Sequence, residues 1–527
     1  MGMYLNPPAD GFQEILNTGL YVDKTELLLY LNEVLGSARK LTCVSRPRRF
    51  GKSFAANMVT AYYSKGADAG ALFKNLKIAK SGDFETHLNK YEVLSLDITW
   101  FISNASNVKD TVSDIQKYVI EELKEAYPDC IRPETKTIPM ALSQINIATG
   151  KKFYIVIDEW DALFREAKED TELQKSYIQF LRGMFKGIQV SRFIIGAYMT
   201  GILPIKKYGT QSALTDFYEY TMLQPGPLAE YVGFTEGEVK KICMEYELDY
   251  EETRKWYDGY RFQAIGHIYS PNSIIKAAAN RQFSNYWTQS ETYESLRIYI
   301  DMNFDGIKTA VINMLGGEKC QIDTGSFQND MTSLQSKDDV FTLLVHLGYL
   351  AYDIKTKEVF IPNEEVREEF VRAIKNGSRP ELVKAITTSD KLLEATLQMD
   401  AETVAKLIDE AHNTNTAPDF YNNEQALRSV VMMAYLSCID HYSKIQELPS
   451  GKGYADIFFL PNKSSDKPAM LVELKWNKSD KGAIRQIKSK DYVQAIENYG
   501  GEILLVGINY STKKKQHSCI IEKYKRK

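Results

Sequence analysis

Short apolar runs with polar tips alternate along this chain with stretches whose apolar residues recur at helical spacing. Lys40-Leu41-Thr42-Cys43-Val44 has the β-favouring character of a strand. Residues 54–63 then predict a helix, with Ala55, Met58, Val59 and Tyr62 on one face. Phe153-Tyr154-Ile155-Val156-Ile157 is continuously apolar and closes on Asp158 and Glu159, the pattern of a parallel strand buried on both faces. Arg192 to Gly201 reads as a second strand of that kind. Further on, Thr235 and Glu238 form a capping box ahead of a helix. Trp256-Tyr257, Tyr269-Ser270-Pro271 and Tyr286-Trp287 predict aromatic packing between short helices and turns. Leu343 to Leu350, followed by a hairpin reaching Val359 to Asn363, predicts a helix and β-wing, with His346 as a packed core residue. Lys375-Asn376-Gly377-Ser378-Arg379-Pro380 carries the turn residues of a linker. Residues 419–440 predict a helix with Glu424 near its start. Ala455 to Leu460 and Met470 to Trp476 predict a strand hairpin, and Glu502 to Ile508 a closing strand.

A length of 527 residues exceeds one ordinary core, so two or three domains are expected. The boundaries proposed from the pattern are 1–231, 232–380 and 381–527. Hydrophobic content of 44% and charged content of 25% fit an ordinary globular chain. The net charge of -4 excludes a global basic field, so any nucleic-acid surface is a local patch. Lys513-Lys514-Lys515 and Lys523 to Lys527 form the one candidate basic tail, whereas Asn363 to Glu369 is acidic and argues against a basic groove at the wing. The six cysteines are widely spaced with no CxxC pair, which argues against a zinc site or a disulfide framework. No secretory leader and no membrane-spanning stretch is evident, so a cytoplasmic protein without a membrane partner is expected.

Two constellations carry chemistry. Arg46-Pro47-Arg48-Arg49-Phe50-Gly51-Lys52-Ser53 lies between a strand and a helix, the context of a phosphate-cradling loop. Backbone N–H groups and the helix N-terminus attract phosphates, Lys52 reaches the β and γ positions, and Ser53 offers a hydroxyl to magnesium. Asp158 and Glu159 follow at about a hundred residues, the first suited to the Mg²⁺ shell and the second to polarising a water. Thr200, at the tip of the next apolar strand, serves either as a γ-phosphate sensor or as a turn residue. Arg182 and Arg192 are candidates for an arginine finger. At the other end, Asp456 precedes Glu473 by 17 residues, and strand alternation puts Glu473 and Lys475 on one face. Phosphodiester cleavage needs oxygen ligands for Mg²⁺, an activated water and a cation near the developing charge. Asp456 and Glu473 fit as ligands, Lys475 as the cation, and Glu424 completes the metal shell.

Tyr21-Val22-Asp23-Lys24-Thr25, the Arg46 to Ser53 loop, Ile157-Asp158-Glu159-Trp160-Asp161 and Thr200-Gly201-Ile202-Leu203 resemble the AAA-ATPase-like family of P-loop proteins, often joined to a PD-(D/E)XK nuclease domain. In that family an arginine stands where the usual phosphate loop has its first glycine, as Arg46 does. Gly453-Tyr454-Ala455-Asp456, Val472-Glu473-Leu474-Lys475, and Gln486 with Tyr492 on an amphipathic helix resemble its nuclease domain; Tyr454 replaces the more usual arginine. Ser212 to Phe217 resembles a segment that usually has asparagines at the places of Thr215 and Asp216. The resemblance implies an α/β chain: an N-terminal P-loop NTPase with a parallel sheet, a helical and winged-helix-like middle, and a C-terminal α/β/α nuclease sandwich. It implies ATP and Mg²⁺ as cofactors. Arg48, Arg49, Phe50, Gly51, Lys52, Ser53, Phe54, Asp158 and Thr200 would then bind nucleotide, and Ser53 and Asp158 the metal. Glu159, Asp456, Glu473, Lys475 and Gln486 would be catalytic. The expected activity is ATP-dependent cleavage of nucleic acid, DNA ahead of RNA, in defence or mobile-element biology, with a homo-oligomer left open. The alternatives are a regulatory switch whose C-terminal domain binds nucleic acid without cutting, and a nuclease whose ATPase is a static clamp.

Overall fold

The computed structural model describes residues 2–205, 207–208, 211–212, 214–287, 293–302, 304, 306–328, 334–375, 380–415, 424–435, 438–450, 453–461, 466–489 and 501–524. The chain divides into two compact units, Met1–Thr292 with Gln321–Arg367, and Tyr293–Cys320 with Glu368–Lys527. Residues 232–380 are therefore shared between the two.

The first unit begins with helix α1 (Asp10–Leu16) and strand β1 (Leu41–Ser45). The loop 46–51 leads into α2 (Lys52–Tyr63), followed by β2 (Glu92–Asp97), β3 (Phe153–Asp158), the short helix α3 (Ala162–Glu166), β4 (Ile194–Gly201) and β5 (Tyr218–Tyr220). These five strands form one sheet in the order β2-β3-β4-β1-β5, and every pairing is parallel. β1 and β3 are buried along almost their whole length, as continuous apolar runs covered on both faces require. Leu94, Ile155, Ile157, Ala197 and Met199 join one large core with Ile115, Leu142 and Leu181 from the covering helices. The parallel register aligns the strand ends: Ser45 stands beside Gly201, Val44 beside Thr200, and Asp97 beside Asp158. Ligands of such sheets bind at this carboxyl edge. β4 lies between β1 and β3, so its tip separates the loop from the Asp158-Glu159 pair.

Beyond the sheet come β6 (Phe234–Thr235), α4 (Glu236–Glu245), β7 (Tyr260–Phe262), β8 (Gly266–Tyr269) and α5 (Pro271–Asn280), with β6-β8-β7 as a small antiparallel sheet. The Thr235–Glu238 capping box is present as expected. Glu238 also holds Lys24 at 2.6 Å, and Lys24 donates to the Glu230 carbonyl at 2.6 Å. The Asp23 carboxylate accepts from the Thr25 and Lys77 amides at 2.9 and 2.7 Å. The segment Tyr21 to Thr25 thus clips the N-terminal region to the sheet's surroundings. Further on, α6 (Lys337–Leu347), β9 (Ala351–Asp353) and β10 (Glu358–Phe360) give the helix and antiparallel wing read from the sequence. His346 is buried there, stacked on Phe327. The acidic run that follows begins α7 (Glu364–Lys375). Four residues of the expected linker, 376–379, lie outside the described residues.

The second unit contains α8 (Pro380–Leu397), α9 (Ala401–Asn415), α10 (Glu424–Ala434), β11 (Tyr442–Ser450), β12 (Gly453–Pro461), β13 (Ala469–Trp476), α11 (Asp480–Ser489), β14 (Ile503–Ser511) and β15 (Gln516–Lys523). Its sheet runs β11-β12-β13-β14-β15, with β13 and β14 parallel and the other pairs antiparallel. Alternation assigns the two faces. Met470, Val472 and Leu474 pack with residues of α8, α9 and α10, while Ala469 and Leu471 pack with Ile484 and Ile487 of α11. Helices thus cover both faces, the α/β/α arrangement expected. The lysines read as a basic tail flank the edge strand β15: Lys513, Lys514 and Lys515 are exposed ahead of it, and Lys523 at its end is paired with Glu502 at 2.6 Å, while residues 525–527 lie outside the described residues. Between the lysines, His517 and Ile521 are buried in the sheet. Among the described residues no helix is long and apolar enough to cross a membrane.

Candidate active sites

At the carboxyl edge of the parallel sheet, the loop after β1 adopts left-handed conformations at Arg49 (φ +68°) and Gly51 (φ +88°). Gly51 takes this geometry without a Cβ penalty and opens α2. Left-handed residues at a helix start make a concavity of backbone N–H groups suited to anions. Lys52, only 4% exposed, donates to the Pro47 carbonyl at 3.0 Å and lies 3.6 Å from Glu159 Oε1. Burial raises the Asp158 carboxyl above its ordinary value, and Asp97 adds to this. Hydrogen bonds from Ser53 and Thr200 and the charge of Lys52 act the other way. Ser53 and Asp158 are hard oxygen donors that line one cavity, a donor set that fits Mg²⁺.

A cavity of about 710 Å³ opens at this edge. That is the size of a small-molecule site. Arg48, Arg49, Phe50, Gly51, Lys52, Ser53, Phe54, Asp158 and Glu159 all line it, so the structure gathers these nine expected residues at one site. Its apolar wall includes Phe12 and Ile15 of α1, Leu20, Val22 and Ile275. Thr200 is placed differently. It is fully buried, it hydrogen-bonds to Asp158, and it is not among the lining residues. Arg182 and Arg192 do not line the cavity either. Arg165, which the sequence reading passed over, does line it. Its guanidinium bonds Glu159 through Nη2 and Asp161 through Nε, the latter at 3.0 Å. The available signal was the i,i+4 spacing of Asp161 and Arg165 directly after the carboxylate strand.

Arg46, at the position of the usual first glycine, is fully buried. It donates to the carbonyls of Ser45 and Tyr220 at 3.0 and 3.1 Å, and lies over the Phe262 ring at 5.0 Å. Burial lowers its pKa to about 10. It serves the packing of the loop rather than the cavity wall.

In the second unit, Glu473 and Lys475 are buried side by side on β13, on the face covered by α11. Lys475 Nζ donates to Glu473 Oε1 at 2.9 Å and to the Leu474 carbonyl at 2.8 Å. From α11, Gln486 also bonds Glu473 Oε1. Three of the expected residues therefore meet. A carboxylate, an amide and a lysine supply oxygen ligands and a cation in one place, which fits a Mg²⁺-dependent site. Asp456 stands on β12; the pairing Ile457 to Val472 is one step from Asp456 and Glu473 along the two strands. The side chains of Asp456 and Glu424 lie outside the described residues, as does Tyr492.

A phosphate loop, a helix N-terminus and a carboxylate pair across an interposed strand define a P-loop ATPase fold. Residues 9–210 match the family model described as Predicted AAA-ATPase, and residues 422–519 match that of the PD-(D/E)XK nuclease superfamily. The chain carries an AAA-ATPase-like domain followed by a PD-(D/E)XK nuclease superfamily domain, a combination that supports an enzyme of the hydrolase class. No curated protein matches the chain at a significant level. Among solved structures, an Aeropyrum pernix ORC2 protein in ADPNP–ADP complexes is similar at 12% identity, over 66% of this chain and 93% of that one, with a TM-score of 0.24.

Proposed function

We propose that this chain binds and hydrolyses ATP and uses nucleotide state to control Mg²⁺-dependent cleavage of nucleic acid, DNA rather than RNA, in the cytoplasm and in defence or mobile-element biology. The observation that carries the reading is the gathering of Lys52, Ser53, Asp158 and Glu159 around one 710 Å³ cavity. Lys52 and the loop amides hold the phosphates, while Ser53 and Asp158 hold the metal, which neutralises phosphate charge. Glu159 orients and deprotonates the attacking water. The cluster of Glu473, Lys475 and Gln486 supports the second activity. With Asp456, Glu473 holds Mg²⁺. Lys475 stabilises the charge that develops on the scissile phosphate, and Gln486 fixes the Glu473 carboxylate.

Titration calorimetry and a phosphate-release assay test the first site. Lys52→Ala should lose ATP binding, and Glu159→Gln should bind as wild type yet stop hydrolysis, because an amide is no base. Equal ATP affinity in Lys52→Ala and wild type would remove the phosphate-loop assignment. If the wild-type chain hydrolyses ATP but cuts neither DNA nor RNA with Mg²⁺ or Mn²⁺, the nucleotide-driven switch replaces the nuclease reading.

A further inference from the structure

The Glu159 carboxylate is held by two cations. Oε2 is bonded to Arg165, and Oε1 lies 3.6 Å from Lys52. A carboxylate engaged at both oxygens is not free to turn toward a water. Its backbone is also constrained. Glu159 sits at φ +52°, a left-handed conformation that costs a non-glycine residue free energy and persists only when its surroundings fix it. What fixes it is visible. The Glu159 amide donates to Asp158 Oδ1 at 3.0 Å, the Trp160 amide to the Thr200 carbonyl at 2.9 Å, and the Ala162 amide to the Glu159 carbonyl at 2.9 Å.

Arg165 is equally well anchored. Asp161 is fully buried and takes its Nε at 3.0 Å. The same carboxylate accepts the amides of Ile202 and Leu203 at 3.2 and 2.9 Å, just beyond the tip of β4. Gly201 permits this approach, since a Cβ there would stand 2.7 Å from Asp161 Oδ1 and 2.5 Å from the Trp160 ring. Strand β4, Asp161, Arg165 and Glu159 thus form one continuous polar chain, and its last link lines the nucleotide cavity.

We propose that Arg165 is a positioning residue that restrains Glu159, holding its carboxylate away from the attacking water so that the nucleotide-filled site turns over slowly. The inference rests on the ATPase reading above. Arg165→Met keeps an apolar stem and removes the charge. Arg165→Lys keeps a cation but lacks the fork that bridges Asp161 and Glu159. The Met variant should raise kcat for ATP about five- to tenfold with little change in KM or in ATP affinity by calorimetry, and the Lys variant should raise it less. Glu159→Gln added to Arg165→Met should abolish the gain. Hydrogen exchange of the nucleotide-free protein gives a readout independent of turnover, and amides 159–162 should exchange faster in both variants. A kcat at or below the wild-type value, or exchange no faster than wild type, overturns the restraint; if Arg165→Met does not fold, Arg165→Lys decides by the same criteria. Wild-type protein that binds ATP and hydrolyses it while the variants show no gain refutes the restraint alone. Wild-type protein that does not bind ATP refutes the ATPase reading and the restraint with it.

Discussion

Glu365 offers the sharpest test of how the nucleotide cavity is supported. Its carboxylate is 1% exposed and accepts from the Tyr286 amide at 2.7 Å, the Trp287 amide at 2.8 Å and the Ser273 hydroxyl at 2.9 Å. Ser273 belongs to α5, whose Pro271, Asn272, Ile275 and Lys276 line the cavity. Glu365→Ala leaves two buried amides without that acceptor, while the serine hydroxyl can rotate. At ~1–3 kcal/mol for each orphaned buried donor, the expected loss is about 4 kcal/mol. Glu365→Gln keeps one carbonyl oxygen for both amides and offers an NH₂ to Ser273, so it should cost only about 1 kcal/mol for the lost charge assistance. Urea unfolding with and without ATP reads this, because ligand binding shifts the transition of the unit that binds it. That midpoint should fall strongly for alanine and slightly for glutamine. Equal midpoints for the two variants would refute the view of Glu365 as the acceptor that organises this region.

Three further outcomes are expected. Gly348→Ala should destabilise the first unit by about 2–4 kcal/mol in the same assay, since Gly348 sits at φ +88° and a Cβ would stand 2.7 Å from Pro47 and 2.8 Å from the Trp287 ring. Burial depresses the His346 pKa from 6.5 to about 3, so only the unfolded chain takes up its proton between these values. Its stability contribution is complete above pH ~6.5 and declines by up to ~1.4 kcal/mol per unit as pH falls toward about 3; His346→Leu should flatten urea midpoints compared between about pH 7 and 5. Asp456→Ala, Glu473→Ala and Lys475→Ala should each remove Mg²⁺-dependent cleavage of labelled DNA while leaving phosphate release from ATP largely intact; cleavage at the wild-type rate in Lys475→Ala would displace the proposed site.

Much of this architecture was legible because it is local. The run from Phe153 to Glu159 announces a buried strand with carboxylates at its tip, and the loop from Arg46 to Ser53 lies between elements whose periods are plain. Glu473 and Lys475 are two residues apart on a strand, so their shared face follows from alternation alone. Arg165 was hidden because its importance depends on the turn that brings α3 back over Glu159, and on a partner, Asp161, that is fixed in turn by the Ile202 and Leu203 amides just beyond β4. The hub at Glu365 joins residues far apart in sequence, and nothing in the acidic run 363–369 distinguishes it from Glu369, which is equally buried. The strand at 516–523 was not legible for another reason: lysines flank it on both sides, and only a few of its residues, such as His517 and Ile521, face inward.

The wall behind the phosphate loop has a consequence for how such a chain can be inherited. Phe50 packs edge-on against Tyr260 at 5.4 Å, Tyr260 donates to the Gly348 carbonyl, and Pro47 stands against the same glycine as Trp287. All three wall residues lie beyond residue 210, where the ATPase family match ends. Recombination at that point would separate the loop from the residues that back it. The smallest segment that could pass intact from one gene to another therefore includes residues 232–287 and the Gly348 region, so the nucleotide-binding module travels with its middle region or loses the support of its own loop.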